Sequence, residues 1–254
     1  MSRGRVEARI TVPTGGWSVS LTVTAIGGPV VVTVAAGTYW IDELLVAFIA
    51  ALNAAFGGDG AFSYSVSFGE SGTGFVTITH ATQTFSWTWT STAMRDLFGF
   101  TADLTPAALS FTGTMVCKAV WLPDCDLDHK RGVDSGPKKI DRKVLVAPGG
   151  TVTALGYQNR RRVRIVWALI GKARAIESQE STVGESFERW FLDTHGGEVS
   201  YFGMSPQVRV YWNADGATKI TIRLIDPSDT FDPERVDATW IGLWVVVIEG
   251  YIVP

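Results

Sequence analysis

Apolar and polar residues alternate at every second position through much of this chain, and this period constrains the fold more than any other feature. The alternation is plain in residues 17–24, 62–68, 84–90 and 219–224. Because successive side chains of a strand point to opposite faces of a sheet, it predicts β-strands with one buried face. Predicted strands outnumber predicted helices in both halves of the sequence, so we expect a mainly β protein with a minor α+β component.

One segment of the first half has a helical period instead. Between residues 41 and 56 apolar residues recur three and four positions apart, and Gly57 and Gly58 follow. Asp42 and Glu43 fall in the first turn, where acidic side chains interact favourably with the helix dipole. We therefore predict a helix near 41–56 as the principal helix of this half.

Two further helices are predicted from their ends. Thr182 and Glu185 have the spacing of a capping box, which predicts a principal helix near 183–194 in the second half. Ser91 and Gly99 are expected to begin and end a shorter helix in the first half.

The stretch 123–139 breaks every period. It contains Pro123, Gly132 and Gly136 among closely spaced acidic and basic residues, which is typical of a linker. We therefore predict two β-sandwich-like domains, residues 1–122 and 140–254, each with one principal helix, joined by a linker or arm at 123–139.

Composition restricts the class of protein. Of 254 residues, 46% are hydrophobic and only 19% are charged, a balance that supports sizeable cores and excludes a disordered chain. No apolar run approaches the ~20 residues that cross a bilayer, and the first residues lack the apolar stretch of a secretory signal. We expect no membrane partner, synthesis in a host cytoplasm, and reduced Cys117 and Cys125.

Charge is divided unevenly along the chain. Residues 130–174 hold twelve Lys and Arg against two acidic residues, a balance of +10, whereas residues 10–117 hold one Arg against six acidic residues, a balance of −5. A basic stretch of this kind fits a nucleic-acid or lipid contact, or else a solvated or subunit-facing side of a β domain. It lacks interleaved aromatics and any DNA-binding motif, so we do not expect nucleic acid as a partner. The predicted subunit-interface residues are Lys138, Lys139, Arg160, Arg161, Arg162 and Arg164.

The most suggestive metal pattern is incomplete. Asp124, Asp126 and Asp128 begin like a calcium loop, but His129 stands where a glycine is needed and Ser135 where the bidentate glutamate belongs. We therefore predict no metal site and no cofactor.

No catalytic constellation has the right spacing either. Residues 69–74 are glycine-rich but lack the lysine of a phosphate-binding loop, so they predict a hairpin turn. The three histidines, His80, His129 and His195, lie in a predicted strand, in the linker and at a helix end, without a nucleophile motif. We predict that the protein is not an enzyme.

Several segments resemble structural proteins of tailed bacteriophages. One is Gly37-Thr-Tyr-Trp-Ile-Asp-Glu-Leu-Leu continuing to Ala55, followed by a Phe-rich strand pair and by Met94-Arg-Asp-Leu-Phe-Gly-Phe-Thr. Residues 162–167, 186–190, 208–215 and 242–247 look like the β domains of tail and distal-tail proteins. The resemblance implies a virion protein of the tail, neck or tail tip that forms a ring-like homo-oligomer, threefold or sixfold, and contacts other tail proteins. It carries over no residue-level site.

The alternative function is a carbohydrate-binding or host-attachment module. Trp87 and Trp89 alternate in a threonine-rich strand, and aromatic side chains can stack on sugar rings. At this period they are more typical of a core.

Overall fold

A computed structural model of the chain describes residues 5–24, 28–56, 61–66, 74–122, 132–134, 142–146, 152–156, 162–171, 186–191, 205–211, 219–224, 234–235 and 243–252. These residues form eighteen strands and three helices. The protein is therefore mainly β, as the alternating sequence predicts, and every strand pair among the described residues is antiparallel.

The first half contains ten strands and two helices among its described residues. The strands are β1 (Arg5–Val12), β2 (Trp17–Val23), β3 (Val30–Val34), β4 (Gly37–Tyr39), β5 (Phe62–Val66), β6 (Val76–His80), β7 (Phe85–Trp89), β8 (Leu104–Ala108), β9 (Ser110–Thr112) and β10 (Val120–Trp121), and the helices are α1 (Ile41–Ala55) and α2 (Thr92–Leu97).

The second half contributes eight strands and one helix to the described residues. They are β11 (Gly132–Asp134), β12 (Arg142–Val146), β13 (Val152–Gly156), β14 (Arg162–Gly171), α3 (Phe187–Phe191), β15 (Ser205–Tyr211), β16 (Lys219–Leu224), β17 (Glu234–Arg235) and β18 (Leu243–Ile252). β11 lies inside the segment predicted to be a linker or arm.

α1 confirms the helix predicted near 41–56. The backbone N–H of Trp40 donates to Oε2 of Glu43 at 2.9 Å, which satisfies one of the donors that a helix start leaves without a partner in the helix. The Trp40 side chain has no oxygen with which to complete a reciprocal cap. The buried side is formed by Ile41, Leu44, Leu45, Phe48 and Leu52.

α2 is present where predicted, but Ser91 has a different role from the one expected. Its Oγ accepts a hydrogen bond from the backbone N–H of Ser18 at 3.1 Å and makes no side-chain cap on the helix. The Ser91 hydroxyl therefore ties α2 to β2. Gly99 follows the helix with φ of +78°, the left-handed conformation in which glycine is favoured.

α3 lies inside the range 183–194 predicted for the second principal helix, part of which lies outside the described residues. Oγ of Ser186 accepts a hydrogen bond from the backbone N–H of Arg189 at 3.1 Å, so Ser186 is the N-cap and the helix begins at Phe187. Thr182 and Glu185, whose capping-box spacing predicted this helix, lie outside the described residues. The serine, like threonine, supplies the acceptor oxygen that an N-cap needs.

The core of the first half lies between two sheets and α1. A four-stranded sheet has the order β3-β2-β7-β8, and a three-stranded sheet has the order β5-β6-β9. Phe85 of β7 contacts Phe62 of β5 at 5.3 Å and Phe111 of β9 at 5.2 Å between ring centroids. Phe48 of α1 meets Trp87 of the same β7 at 5.7 Å. One face of the four-stranded sheet is therefore covered by both α1 and the smaller sheet.

A nine-stranded sheet contains strands from both halves. Its order is β10-β1-β15-β16-β18-β14-β11, with β4 paired to β1 and β17 paired to β18. β1 pairs with β15 from Arg5 opposite Tyr211 to Arg9 opposite Ser205. Two strands on opposite sides of the predicted 123–139 linker are thus neighbours in one sheet.

Candidate functional site

Trp40 lies where α1 meets the nine-stranded sheet, in contact with two arginines. Cζ of Arg209 is 4.0 Å from the centroid of the Trp40 ring, and Cζ of Arg9 is 5.7 Å from it. Nη1 of Arg9 also donates to Oε1 of Gln207 at 2.7 Å. Since Arg9 lies on β1 and Arg209 on β15, the indole is held by both strands through cation–π contacts.

The acidic start of α1 faces the same arginine. Nη1 of Arg209 is 3.7 Å from Oδ1 of Asp42, and Nη2 is 3.6 Å from Oε1 of Glu43. Both carboxylates are about half exposed, so each ion pair contributes little free energy by itself. Together with the stacked ring they fix the orientation of α1 on the sheet.

A second charged pair is buried in β1. Nε of Arg5 lies 3.0 Å from Oε1 of Glu7, and the Glu7 side chain is completely buried.

Cys117 is also completely buried, and burial raises the pKa of its thiol to about 12, with the nearby charge of Glu7 acting in the same direction. Cys117 is therefore a protonated core residue and not a nucleophile.

The exposed side of the three-stranded sheet is lined with hydroxyl groups. Cross-strand register places Ser63, Thr79 and Ser110 in one row and Ser65, Thr77 and Thr112 in the next. Thr77 and Thr112 are hydrogen-bonded through their hydroxyls at 2.9 Å, as are Thr79 and Ser110. This face carries no charge, which is consistent with the scarcity of charged residues in 10–117.

Beyond its first turn, which carries Asp42 and Glu43, the outer side of α1 is apolar. Val46, Ala50 and Ala54 are exposed one turn apart, with Val46 at 56% of its full exposure. The last polar residue of the helix, Asn53, is engaged elsewhere, because its side chain makes two hydrogen bonds to the backbone of Phe62. We call Val46, Ala50 and Ala54 the outer face of α1.

An open cavity of about 400 Å³ lies beside the N-terminal half of α1. It is lined by Arg5, Asp42, Leu45, Tyr64, Ser65 and Val66. Its two charged residues, Arg5 and Asp42, have opposite charges, and Asp42 is the one carboxylate among the described residues of the lining, so no pair of carboxylates could act there as general acid and base. Among the described residues, no group of three or more His, Cys, Asp and Glu side chains is placed to hold a metal ion.

The predicted interface residues fall mostly outside the described part of the chain. Lys138, Lys139, Arg160 and Arg161 lie outside it, as do Asp124, Asp126, Asp128, His129 and His195 of the other predicted patterns. Arg162 and Arg164 lie on β14. By register, Arg164 stands between Asp134 of β11 and Glu249 of β18, so acidic residues flank it within its own sheet. Their assignment to a subunit interface remains a prediction.

His80 has a structural role. It is buried, and its Nδ1 accepts backbone hydrogen bonds from Thr82 at 3.3 Å and Gln83 at 3.0 Å. The ring packs edge-on against Phe62 at 4.6 Å. The histidine thus closes the turn after β6.

Trp87 and Trp89 are core residues, as their spacing predicts. They are 2% and 6% exposed and contact each other at 5.2 Å between ring centroids. A sugar could not stack on either ring without opening the core.

The glycine-rich stretch 69–74 joins two paired strands. β5 and β6 are antiparallel neighbours from Phe62 opposite His80 to Val66 opposite Val76, the arrangement that the hairpin prediction requires.

Among the helices that the structure describes, none is long and apolar enough to cross a membrane.

Comparison with known proteins adds no family. No protein-family model matches the chain, and no curated protein or solved structure is similar to it.

Proposed function

We propose that the protein is a structural component of a tailed-phage virion, in the tail, neck or tail tip, and that it acts through contacts between subunits and not through catalysis. It is made in the host cytoplasm and ends in the virion. Its partners are further copies of itself in a ring-like homo-oligomer and other tail proteins.

The observation that carries this proposal is the outer face of α1. An amphipathic surface helix normally turns a polar or charged side to water, but α1 has no charged residue after Glu43. Covering Val46, Ala50 and Ala54 would remove apolar surface from water, which favours association. A subunit contact supplies such a cover.

The phage assignment within this class is supported by the resemblance of residues 37–55 and 94–101. The first segment is β4 followed by α1, and the second is the end of α2 with its Gly99 turn. Phe48 of the first and Phe98 of the second are in ring contact at 5.8 Å, so the two segments form one packed unit.

We also propose that each half is β-sandwich-like with one principal helix. In the first half, the contacts of Phe85 with Phe62 and Phe111 support this arrangement, because they join the inner sides of two sheets. In the second half the support is the alternating sequence alone. A carbohydrate-binding or attachment role loses its main argument, since Trp87 and Trp89 are buried.

Immunogold electron microscopy tests the proposed function directly. Antibodies against the purified protein are applied to phage particles released by the strain that encodes it, with pre-immune serum as control. We expect label at one position of the tail or neck. Label confined to the cell lysate, with none on purified particles, would refute the virion assignment.

Charge reversal tests the predicted role of the basic stretch in assembly. Changing Arg160→Glu, Arg161→Glu and Arg162→Glu together should slow association of the subunits, because it removes electrostatic steering toward the acidic half of a neighbour. Light scattering at several dilutions measures the rate, and wild-type protein at about 0.5 M salt, where such steering is screened, is the matched comparison. A variant that assembles at the wild-type rate in low salt would contradict the prediction.

A further inference from the structure

Two edge strands of the first half are protected against pairing with another chain. An edge strand presents N–H and C=O groups that can bind a further strand, and native proteins usually block such edges. β8, at one edge of the four-stranded sheet, contains Pro106 and a shift in register. At the edge formed by β5, the Asn53 side chain binds the N–H and the C=O of Phe62 at 2.9 and 3.2 Å. Both strands therefore have obstacles to a further strand.

β3, at the other edge of the four-stranded sheet, has no such protection. Its five residues include four valines and no proline, and its register with β2 has no shift. None of the residues 10–41 is charged. Val31 is 67% exposed, more than any other large hydrophobic side chain in the described part of the chain. β3 therefore lacks the charges, prolines and bulges that normally block an edge.

The backbone groups at this edge belong to Val31 and Thr33. The N–H of Ser18 donates to Oγ of Ser91 at 3.1 Å, and the C=O of Ser18 accepts from the N–H of Ser91 at 3.1 Å. Ser18 thus directs both backbone groups away from β3. Because Ser18 stands opposite Thr33 and the two kinds of pair alternate along an antiparallel ladder, Thr33 and Val31 direct their own groups away from β2. These four groups have no partner among the described residues.

α1 packs on one face of the four-stranded sheet and leaves the outward side chains of β3 exposed. Phe48 of α1 meets Trp87 at 5.7 Å between ring centroids, on the face that also carries the buried Val32 by register. The side chains of Val31 and Thr33 point to the opposite face, and both are exposed. The edge of β3 is therefore supported from one side and accessible from the other.

We propose that β3 pairs with β3 of a second copy about a two-fold axis at Val32, so that two four-stranded sheets join into one eight-stranded sheet. Val31 of each copy stands opposite Thr33 of the other. Each of these pairs exchanges two hydrogen bonds, which makes four in all. The two Val32 residues face each other as the non-hydrogen-bonded pair between them. The inference goes beyond the proposed function, because a two-fold contact differs from the head-to-tail contact of a ring.

A second copy is the expected partner because β3 is complementary to itself. The two outward residues lie symmetrically about Val32, so an antiparallel copy presents a donor to each acceptor and an acceptor to each donor. Like charges directly opposite each other would oppose such a pair, but residues 10–41 carry none. The pairing also places β-branched Thr33 beside the exposed Val31. Since a five-residue contact is small, we expect a dimer that dissociates at micromolar concentration.

Two substitutions at Thr33 test the hydrogen bonds across the axis. Thr33→Pro removes an N–H that points away from β2, so it spares the ladder within one chain, but the dimer loses two of its four cross-copy bonds. Dimerisation measured by sedimentation should weaken at least about tenfold. Thr33→Val is the matched control, because it keeps the N–H and the branched shape, and it should dimerise like the wild type. Circular dichroism shows whether both variants fold.

Disulfide formation between two tagged copies tests the register without a proline. Both copies carry Cys125→Ser, one carries Val31→Cys and the other Thr33→Cys, while Cys117 is buried. In the proposed register the two new cysteines stand opposite each other with Cα atoms about 5.5 Å apart, a distance that a disulfide spans. Identical cysteines lie on a diagonal roughly 7–8 Å apart, where a disulfide needs backbone movement. Mild oxidation should therefore give more mixed disulfide than random collision does.

The outcomes separate this inference from the proposed function. A wild type that is monomeric at every concentration, a folded Thr33→Pro variant that dimerises normally, or disulfides in random proportion would overturn the β3 contact and leave the virion role standing. A monomeric wild type that enters particles, with a folded Thr33→Pro variant that does not, would show that the edge binds a strand of another protein. A β3 dimer that is absent from purified particles would overturn the virion role alone.

Discussion

Gly99 ends α2 and lets the backbone of Met115 pass close to it. Its φ is +78°, and a Cβ at this position would collide with the backbone carbonyl of Met115. Both the backbone conformation and the limited space require glycine at this position. The turn after α2 could be predicted from this glycine, whereas its contact with Met115 could not.

Replacing Gly99 should therefore lower the free energy of unfolding more than replacing a glycine for which a positive φ is the only constraint. Gly99→Ala is expected to lower the free energy of unfolding by about 2–4 kcal/mol, from left-handed strain plus a steric clash. Gly15→Ala is the matched control, since Gly15 has φ of +102° with nothing within 4 Å of a Cβ, and it should lose about 1–2 kcal/mol. Urea unfolding measures both, and equal losses would show that the Met115 contact is unimportant.

Cys117 gives a pH-dependent prediction at the same scale. Its folded pKa of about 12 lies above the 9.0 of an exposed thiol, so above pH 9 the unfolded chain loses the proton first and stability falls as pH rises toward 12. In a Cys125→Ser background, a thiol reagent such as DTNB should not react with the folded protein at pH 8 and should react fully after denaturation. Rapid reaction in the folded state would contradict the burial of Cys117.

α1 shows at the scale of the element how one helix can have two apolar sides with different roles. Phe48 lies on the inner side and contacts Trp87 and Phe98 at 5.7 and 5.8 Å. Val46, two residues earlier, lies on the outer face. The period of the sequence predicts the helix and its inner side, because the positions three and four apart must share a face.

Truncation should destabilise the protein far more on the inner side of α1 than on its outer face. Phe48→Ala is expected to lower the free energy of unfolding of the monomer by about 3–5 kcal/mol through lost burial and a cavity. Val46→Ala on the outer face should change it by less than about 0.5 kcal/mol. Chemical denaturation at a concentration where the protein is monomeric provides the comparison. A large loss from Val46→Ala would mean that the outer face is covered within one chain.

At the scale of the whole molecule, elements that precede residues 123–139 contact elements that follow them. β1 is flanked in its sheet by β10 from the first half and β15 from the second. Trp121 of β10 also contacts Phe187 of α3 at 4.8 Å between ring centroids. Cutting the chain in the predicted linker would leave these contacts intact.

Limited trypsin digestion tests both the linker and the shared sheet. We expect first cuts after Lys130, Arg131, Lys138 or Lys139, because the sequence predicts a linker there and linkers are cleaved before packed elements. The two fragments should then co-elute in gel filtration and separate only in denaturant. First cuts after Arg95 of α2 or Arg209 of β15, or fragments that separate without denaturant, would contradict one or the other expectation.

The sequence by itself determined the elements of the first half and the faces that they bury. The alternation of residues 62–68 and 84–90 predicted β5 and β7, and the helical period of residues 41–56 predicted α1, because both periods are local consequences of backbone geometry. The burial of Trp87 and Trp89 followed from the same rule. Even the absence of charge along the outer face of α1 can be read from residues 46–55 directly.

Tertiary structure alone decided which distant elements meet. The pairing of β1 with β15, the stacking of Arg209 on Trp40 and the hydrogen bond from Ser18 to Ser91 join residues that are far apart in sequence, and no local period specifies such partners. The physical reason is that period and propensity determine the face a residue presents, whereas the partner of that face depends on packing the whole chain at once.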